Sequence, residues 1–150
     1  MNRKSISYIV FFAFLVMLVA SDSPATAEST GKLIIDISGF PSSEGFAMVA
    51  LHNSQDSYTS EGDTAIAKTR IKVVNQEAQV VFVNLAYGWY GVSIFHDENA
   101  NMKMDKNAMG IPKESYGFSN NAKGFFGKPK YKDVMFQMNS AEKQIAVNLD

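Results

Sequence analysis

The sequence predicts an all-β fold, a single antiparallel seven-stranded β-sandwich with one long loop between the fifth and sixth strands. Two observations support this prediction. Seven short stretches are rich in β-branched or aromatic residues and are bounded by turn-forming residues. No window after residue 27 keeps a helical periodicity for longer than about two turns. Short strands without intervening helices are typical of a sandwich or barrel, and seven strands of this length suit two packed sheets.

The individual strands follow from the local pattern of side chains. They are predicted at Lys32–Ser38, Phe46–His52, Ile66–Val74, Ala78–Asn84, Trp89–His96, Tyr131–Asn139 and Lys143–Leu149. Residues 54–65, between the second and third strands, predict either a single helical turn or a surface loop. The other connections are short and rich in Gly, Pro, Asn and Ser, as expected for tight turns.

Alternation of apolar residues predicts which faces are buried. In the first strand Leu33, Ile35 and Ile37 share one face, and the last strand, Lys143–Leu149, alternates in the same way. Both strands are therefore expected to be half buried.

The fourth predicted strand has a different pattern. Val80 and Phe82 lie on one face and Val81 and Val83 on the other, so both faces are apolar. Strands that are covered on both sides usually have this composition. The pattern predicts a central position in its sheet.

Residues 1–27 have the three parts of a secretory signal peptide. Arg3 and Lys4 give a charged start, an apolar run follows, and the small residues 25–27 (Ala-Thr-Ala) form a cleavage site. The apolar run of about 15 residues is shorter than the roughly 20 that a membrane-spanning helix needs. We therefore expect an exported protein, periplasmic or extracellular. Residues 28–150 would form one β-sandwich domain without a stable membrane anchor after cleavage.

Charge and cysteine content exclude several classes of function. The chain has 14 basic and 15 acidic residues, and removal of residues 1–27 leaves a net charge of −2. This balance does not favour nucleic acid as a partner. The absence of cysteine excludes disulfides, thiolate metal sites, a cysteine nucleophile and a lipid-modified cysteine.

The stretch Phe82–Tyr90 has the form F-x-x-L-x-x-G-x-Y. It resembles the hairpin of transthyretin-like and carboxypeptidase-regulatory-like sandwiches. The resemblance implies a prealbumin-like sandwich in which Leu85 closes the end of the core, Gly88 makes a tight turn and an aromatic residue begins the next strand. It concerns the fold and does not by itself assign a function.

The longest connection, from Asp97 to Lys130, opens with a series of polar side chains. Asp97, Asn99, Asn101 and Asp105 occupy positions 1, 3, 5 and 9 of a D-x-N-x-N-x-x-x-D series. Calcium takes six to eight oxygen ligands, which can include a backbone carbonyl, here that of Lys103 at position 7. The spacing therefore predicts a calcium loop, and no other cofactor is indicated.

Two departures from the calcium-loop pattern leave an alternative open. Met102 stands where a glycine usually makes the sharp turn, and Ala108 stands where a bidentate acid is usual. Glu98 or Glu114 would have to supply the missing carboxylate. In the alternative, the Asp and Asn side chains cap turns by hydrogen bonding to their own backbone.

The segment His96–Asn121 resembles the hallmark of a family of exported bacterial proteins classed as a domain of unknown function. That hallmark runs approximately H-D-x-N-x-N-G-x-x-D-x-N-x-x-G-I-P-x-E-x-Y-G-F-S-N-N. The resemblance implies export and a β-sandwich, with Met102 where the family mostly has glycine. Outside the predicted calcium loop, the motif residues of this chain are His96, Gly110, Ile111, Pro112, Glu114, Tyr116, Gly117, Phe118, Ser119, Asn120 and Asn121.

Two classes of function are open. The first is a non-catalytic binding or structural module of the cell envelope, whose partner would be an envelope protein or a glycan stacked on aromatic rings near strand ends. The second is a hydrolase that uses His96, next to Asp97, as its base, with Ser93 or Ser119 nearby. No nucleophile elbow or paired-acid pattern surrounds these residues, so the sequence favours the binding or structural module.

Overall fold

The computed structural model describes residues 29–60, 64–125 and 127–150, and the predicted signal peptide lies outside these ranges. Within them the chain forms eight strands and two short helices. The strands are β1 Thr30–Ser38, β2 Phe46–His52, β3 Ala67–Lys72, β4 Ala78–Ala86, β5 Gly88–Asp97, β6 Tyr116–Phe118, β7 Phe136–Met138 and β8 Glu142–Asn148; the helices are α1 Gln55–Thr59 and α2 Tyr131–Val134. A 3₁₀ turn, Ser119–Asn121, follows β6. None of the described helices is long and apolar enough to span a membrane.

The strands form two sheets, and the predicted all-β class is confirmed. The three-stranded sheet has the order β4-β1-β8, and the five-stranded sheet has the order β3-β2-β5-β6, with β7 paired to the start of β5. β1 and β8 run parallel, with Lys32 opposite Glu142. The predictions of seven strands and of a wholly antiparallel arrangement are therefore wrong. Alternation of side chains sets which face is buried but carries no information on strand direction, and β6 is only three residues long.

The two sheets share one hydrophobic core. Leu33, Ile35 and Ile37 of β1 are at most 2% exposed, as their alternation predicts. They belong to the same cluster as Val49 of β2 and Ile94 of β5, which lie in the other sheet. Burial of each such side chain contributes about 1.5–3 kcal/mol to folding.

β4 is an edge strand, so the predicted central position is wrong. Val80 is buried against the core, but Val81 and Val83 on the opposite face are 47% and 61% exposed. An apolar pattern on both faces does not show whether anything covers the second face.

The connection between β4 and β5 passes from one sheet to the other. β4 pairs with β1 and β5 pairs with β2, so the stretch that resembles a hairpin is a crossover. Leu85 packs against the core as expected. A Cβ on Gly88 would meet only the Tyr90 ring, at 3.9 Å, and the positive φ of 57° belongs to Asn84. Gly88 is therefore not required by the turn.

Residues 131–139 do not form the single strand that was predicted. α2 is closed by a bond from the Met135 N–H to the Tyr131 carbonyl, 2.9 Å, and β7 begins one residue later. Val134, Phe136 and Met138 are buried in alternation, so helix and strand present the same sequence pattern here. In residues 54–65 the helical alternative is confirmed by α1, where the Ser54 hydroxyl caps the helix by accepting the N–H of Ser57 at 3.1 Å.

Candidate functional site

The segment 96–121 leaves the five-stranded sheet at the end of β5 and returns to it through β6. Phe95 and Ser93 of β5 lie opposite Tyr116 and Phe118. At the start of the segment the His96 N–H donates to the Ser115 carbonyl at 2.8 Å. The predicted long loop is thus divided into a polar loop, residues 98–115, and a stretch that is part of the sheet.

Asp97 organises the polar loop. Its side chain is fully buried, and its two carboxylate oxygens accept the backbone N–H groups of Asn101 and Met102, each at 2.9 Å. A carboxylate that accepts two N–H donors away from water is a strong local constraint. The Asp97 side chain therefore closes the turn that leads from Asp97 to Met102.

Asn99, Asn101 and Asp105 form the next part of the same network. The amide nitrogens of Asn99 and Asn101 donate to Asp105 Oδ2 and Oδ1 at 2.7 and 3.1 Å. Their amide oxygens accept backbone N–H groups two residues on, from Asn101 at 3.1 Å and from Lys103 at 2.8 Å. The structure brings together all the predicted ligand side chains, in the geometry of the turn-capping alternative.

Two non-glycine residues of this loop have left-handed backbone conformations. Ala100 has φ 59° and Met102 has φ 64°. The family resemblance places glycine at the position of Met102, and the positive φ explains why glycine suits it. A residue with a Cβ in this region costs roughly 1–2 kcal/mol.

Glu114 lies next to the predicted calcium ligands. Its Oε2 accepts the Asp105 N–H at 2.9 Å, and its Oε1 is buried without a hydrogen-bond partner among the described residues. A carboxylate offers about four lone-pair sites, so those of Asp97 and Asp105 also keep acceptor capacity. Within the described ranges, however, no group of three or more His, Cys, Asp or Glu side chains is placed to hold a metal ion.

The Gly110-Ile111-Pro112 part of the motif forms an exposed tip. Asn107 Oδ1 accepts the N–H groups of Met109 and Ile111 at 2.9 and 3.0 Å, which closes the turn. Gly110 has φ 79°, and Ile111 is 52% exposed.

The Tyr116-Gly117-Phe118 part runs beside the last strand. A Cβ on Gly117 would lie 2.9 Å from the Leu149 side chain and 3.0 Å from the Asn148 carbonyl, so only glycine fits without displacement. The Asp150 N–H donates to the Tyr116 carbonyl at 3.0 Å. β6 therefore connects the five-stranded sheet to the end of β8.

The Ser119-Asn120-Asn121 part holds the C-terminal segment. The buried Ser119 Oγ accepts the Val92 N–H at 2.9 Å and donates to the Val134 carbonyl. Asn120 donates to the carbonyls of residues 133 and 135, and Asn121 accepts the Asn148 N–H at 2.8 Å. These three side chains fix α2 and β8 against β5.

His96 is placed inside the protein. It is 1% exposed, and its Nε2 donates to the Glu44 carbonyl at 2.7 Å while its ring packs edge-on against Phe40. Ser93 and Ser119, which the sequence places near it, bond elsewhere. The structure does not bring a serine hydroxyl to His96 within the described residues.

Ser93 instead contacts the other histidine, His52. His52 Nδ1 lies 2.9 Å from the Ser57 carbonyl, which can only accept, so Nε2 accepts the Ser93 hydroxyl at 3.0 Å. Burial lowers the pKa of His52, and the charges of Lys128 and Lys68 lower it further. The sequence alone does not reveal this pair, because β2 and β5 must first be aligned, with Ala50 opposite Ser93.

Tyr58 of α1 packs beside His52 and is likewise not revealed by the sequence alone. It is 1% exposed and donates to the Pro129 carbonyl at 3.0 Å. The Lys128 ammonium lies 3.7 Å from the centre of its ring and donates to its backbone carbonyl. Burial raises the pKa of Tyr58 and lowers that of Lys128. In the sequence, Tyr58 is recognisable only as an aromatic residue within a stretch that could form a short helical turn.

A groove of about 730 Å³ lies on the outer face of the five-stranded sheet, the face turned away from the shared core. It is bounded by β2, β3 and β5, by the polar loop, and by residues 127 and 128. The residues that line it include Met48, Ala50, Ser93, Phe95, Lys68, Arg70, Met102, Met104, Pro112, Tyr116, Phe118 and Lys128. The predicted loop thus forms one wall of a cavity that the sequence did not reveal.

Fold and loop together define the class of protein, a β-rich domain in which an ordered polar loop returns to the edge of a sheet and walls a groove. Residues 35–146 match the model of a family described as "Uncharacterized protein conserved in bacteria (DUF2141)". The match covers most of the chain, and the chain belongs to this family. No curated protein and no solved structure matches it.

Proposed function

We propose that the chain is an exported, non-catalytic binding or structural module of the cell envelope, built as a prealbumin-like β-sandwich. Its export is supported by the charged, apolar and small-residue parts of residues 1–27. The sandwich is supported by two sheets that contribute to one core. The partner would be an envelope protein or a glycan.

The observation that carries the non-catalytic role is how the polar side chains of the motif are used. Asp97 and Asn101 accept backbone N–H groups of the polar loop, and Ser119 accepts a backbone N–H group of β5. Groups used in this way hold a surface in one shape. A rigid loop that walls a groove suits recognition, because little conformational freedom is lost on binding.

Exposed aromatic side chains at the start of β5 support a second contact surface. Trp89 is 50% exposed and Tyr87 is 42% exposed, next to the crossover between the sheets. Aromatic faces of this kind stack on sugars or anchor a protein partner. Tyr90, by contrast, is buried and donates to the Ala86 carbonyl at 2.8 Å.

Calcium is part of the proposal as an additional staple of the polar loop. The proposed ligands are the side-chain oxygens of Asp97, Asn99, Asn101 and Asp105 and the backbone carbonyl of Lys103. Glu114, whose Oε2 accepts the Asp105 N–H and whose Oε1 is buried without a partner among the described residues, would add a further oxygen. A bound cation would take over the contacts that the amide nitrogens of Asn99 and Asn101 now make to Asp105. The loop would then be cross-linked by a metal as well as by hydrogen bonds.

A second candidate, a hydrolase, is favoured by one observation, the pair formed by Ser93 and His52. A serine hydroxyl that donates to a neutral histidine, itself oriented by a carbonyl, has the arrangement of a nucleophile and its base. His96, the base named from the sequence, is bonded to Glu44 inside the protein. A hydrolase would therefore use His52.

The experiment that separates the two candidates is an assay of residues 28–150 with nitrophenyl esters, glycosides and phosphates. We expect no turnover above the buffer blank. Turnover that Ser93→Ala abolishes, with an unchanged melting temperature, would overturn the non-catalytic role. Thr69→Ala is a suitable control, since Thr69 lines the same groove on β3.

Export is tested by expressing the full chain in a bacterium and determining the N-terminus of the protein. We expect a mature chain that begins at Glu28 and lies outside the cytoplasm. Ala27→Asp is expected to block cleavage because the site requires small residues. An uncleaved cytoplasmic chain would contradict this part of the proposal.

A further inference from the structure

We propose that the groove on the outer face of the five-stranded sheet binds a free single-chain amphiphile with an anionic head, of the class of long-chain carboxylates. This inference rests on the proposed binding role and adds a small-molecule ligand to the envelope protein or glycan proposed as its partner. It follows from three properties of the groove, namely its floor, its charge and its enclosure.

The floor of the groove is apolar. Met48 and Ala50 of β2 and Phe95 of β5 alternate with core residues and therefore face outward into the groove, where each is only partly covered. The polar loop adds Met102 and Met104, flexible side chains that adapt to ligands of different shape. A floor of this composition favours an alkyl chain.

The charged residues among the described lining of the groove are all positive. Arg70 and Lys128 line the groove, and none of the described residues that line it is acidic. The whole chain carries a net charge of −1, so this positive patch differs in sign from the rest of the protein. The charge is complementary to an anionic head group.

Both of these cations are held in place by aromatic rings. The Arg70 guanidinium lies 3.9 Å from the centre of the Phe46 ring, and the Lys128 ammonium lies over Tyr58. Burial lowers the pKa of Lys128 because the charged form loses water, and an anion beside it would offset this cost. Ordered cations lose little freedom when they bind a carboxylate.

The groove is a partly open concavity, and its size and side walls favour a single free amphiphile over a membrane surface. Its volume of about 730 Å³ is within the range of small-molecule sites, roughly 300–1,000 Å³. The polar loop walls one side, and Lys128 and Gly127 lie on another. A site bounded in this way takes up one free molecule rather than the flat surface of a membrane.

Calorimetric titration of residues 28–150 with dodecanoate, below its micelle concentration, tests the inference. We expect saturable binding with one site. Dodecyltrimethylammonium, which has the same chain and a cationic head, should bind at least tenfold more weakly. Shortening the carboxylate from 12 to 10 carbons should weaken binding by up to roughly fifteenfold, since each buried methylene contributes about fourfold.

Two variants locate the site. Ala50→Trp fills the floor of the groove and should abolish binding, whereas Arg70→Gln removes one head-group contact and should weaken dodecanoate binding by roughly three- to tenfold. Lys72→Gln is the matched control, because Lys72 is an exposed cation on the same strand but outside the groove. It should bind dodecanoate like the unmodified protein.

Absence of dodecanoate binding, or equal binding of the two head groups, would overturn the inference. Binding that Arg70→Gln and Lys72→Gln leave equally unchanged would also overturn it. Failure here would leave the proposed function intact, since that function fails on a different result, turnover of an ester that depends on Ser93. The two failures are therefore distinguishable in one set of proteins.

Discussion

The carboxylate of Asp97 accepts the backbone N–H of Met102 at 2.9 Å, and Met102 has a left-handed φ of 64°. The residue that the family resemblance marks as a departure is thus held in the conformation of the glycine it replaces. Asp97, at the first position of the turn, specifies the turn. Met102, at the sixth position, adopts the backbone conformation of that turn.

We expect Asp97→Ala to lower the free energy of unfolding by about 2–3 kcal/mol, because two backbone N–H groups of the loop lose the charged acceptor that the buried Asp97 side chain provides. Urea unfolding measures the change. Asn99→Ala, at an exposed position of the same loop, should cost less than about 1 kcal/mol. Equal effects of the two variants would show that Asp97 does not organise the loop.

Met102→Gly is expected to stabilise the protein by roughly 0.5–1 kcal/mol. Glycine removes the Cβ strain at a positive φ, and this gain exceeds the entropy that glycine adds to the unfolded chain. Met109→Gly is the control, since Met109 is equally unconstrained by the core, at 80% exposed, and does not have a positive φ. The midpoint of thermal unfolding should rise for Met102→Gly and should not rise for Met109→Gly.

The polar loop illustrates what the sequence could predict. The spacing of Asp97, Asn99, Asn101 and Asp105 predicts that their side chains act together, and in the structure hydrogen bonds link them, because a short polar loop has few ways to satisfy its backbone. The spacing could not decide between a cation and backbone N–H groups, since both attract the same oxygens. Alternation likewise identified the buried face of β1 but not that β8 runs parallel to it.

The contacts that the sequence could not reveal join distant elements. Ser93 meets His52 only because β2 and β5 are neighbours in one sheet, with His52 opposite Gly91. α2 approaches β5 at Gly91, where a Cβ would lie 3.0 Å from Tyr131 and Val134. Residues that form the groove are therefore distributed over elements whose pairing had to be known first.

The buried His52 predicts a pH dependence of stability. Its pKa is lowered in the folded protein, first by burial and then by Lys128 and Lys68, whereas the unfolded chain has the ordinary value of about 6.5. As the pH falls below about 6.5, the unfolded state takes up a proton that the folded state does not, so stability decreases. The stabilising contribution of His52 is therefore present above this pH and is lost on acidification.

Denaturation of the unmodified protein and of His52→Gln at pH 7 and pH 5.5 tests this prediction. The free energy of unfolding should fall over this interval in the unmodified protein and should fall less in the variant. Ser93→Ala keeps the buried histidine and should retain the dependence. A dependence that is identical in all three proteins would assign it to other groups.

Ser119→Ala is expected to destabilise the protein by about 2–3 kcal/mol, because the buried Val92 N–H loses its acceptor and the Val134 carbonyl loses a donor. The effect should appear as faster hydrogen exchange in α2 and β7, which this contact holds against β5. Ser115→Ala is the control, since Ser115 uses its backbone carbonyl, which alanine retains. A change within about 0.5 kcal/mol is expected there.

Calcium binding to the polar loop would stabilise the folded form, because the unfolded chain does not hold the side-chain oxygens of Asp97, Asn99, Asn101 and Asp105 in one loop. At a calcium concentration 100-fold above the dissociation constant, the gain of about 2.7 kcal/mol corresponds to a rise in melting temperature of roughly 10 °C. Asp105→Ala should remove the rise, while Asp56→Ala, on the exposed surface of α1, should keep it. A melting temperature that millimolar calcium leaves unchanged in the chelator-treated protein would show that hydrogen bonds alone hold the loop. In that case the amide nitrogens of Asn99 and Asn101, which donate to the Asp105 carboxylate, make the contacts that the spacing assigned to a metal ion.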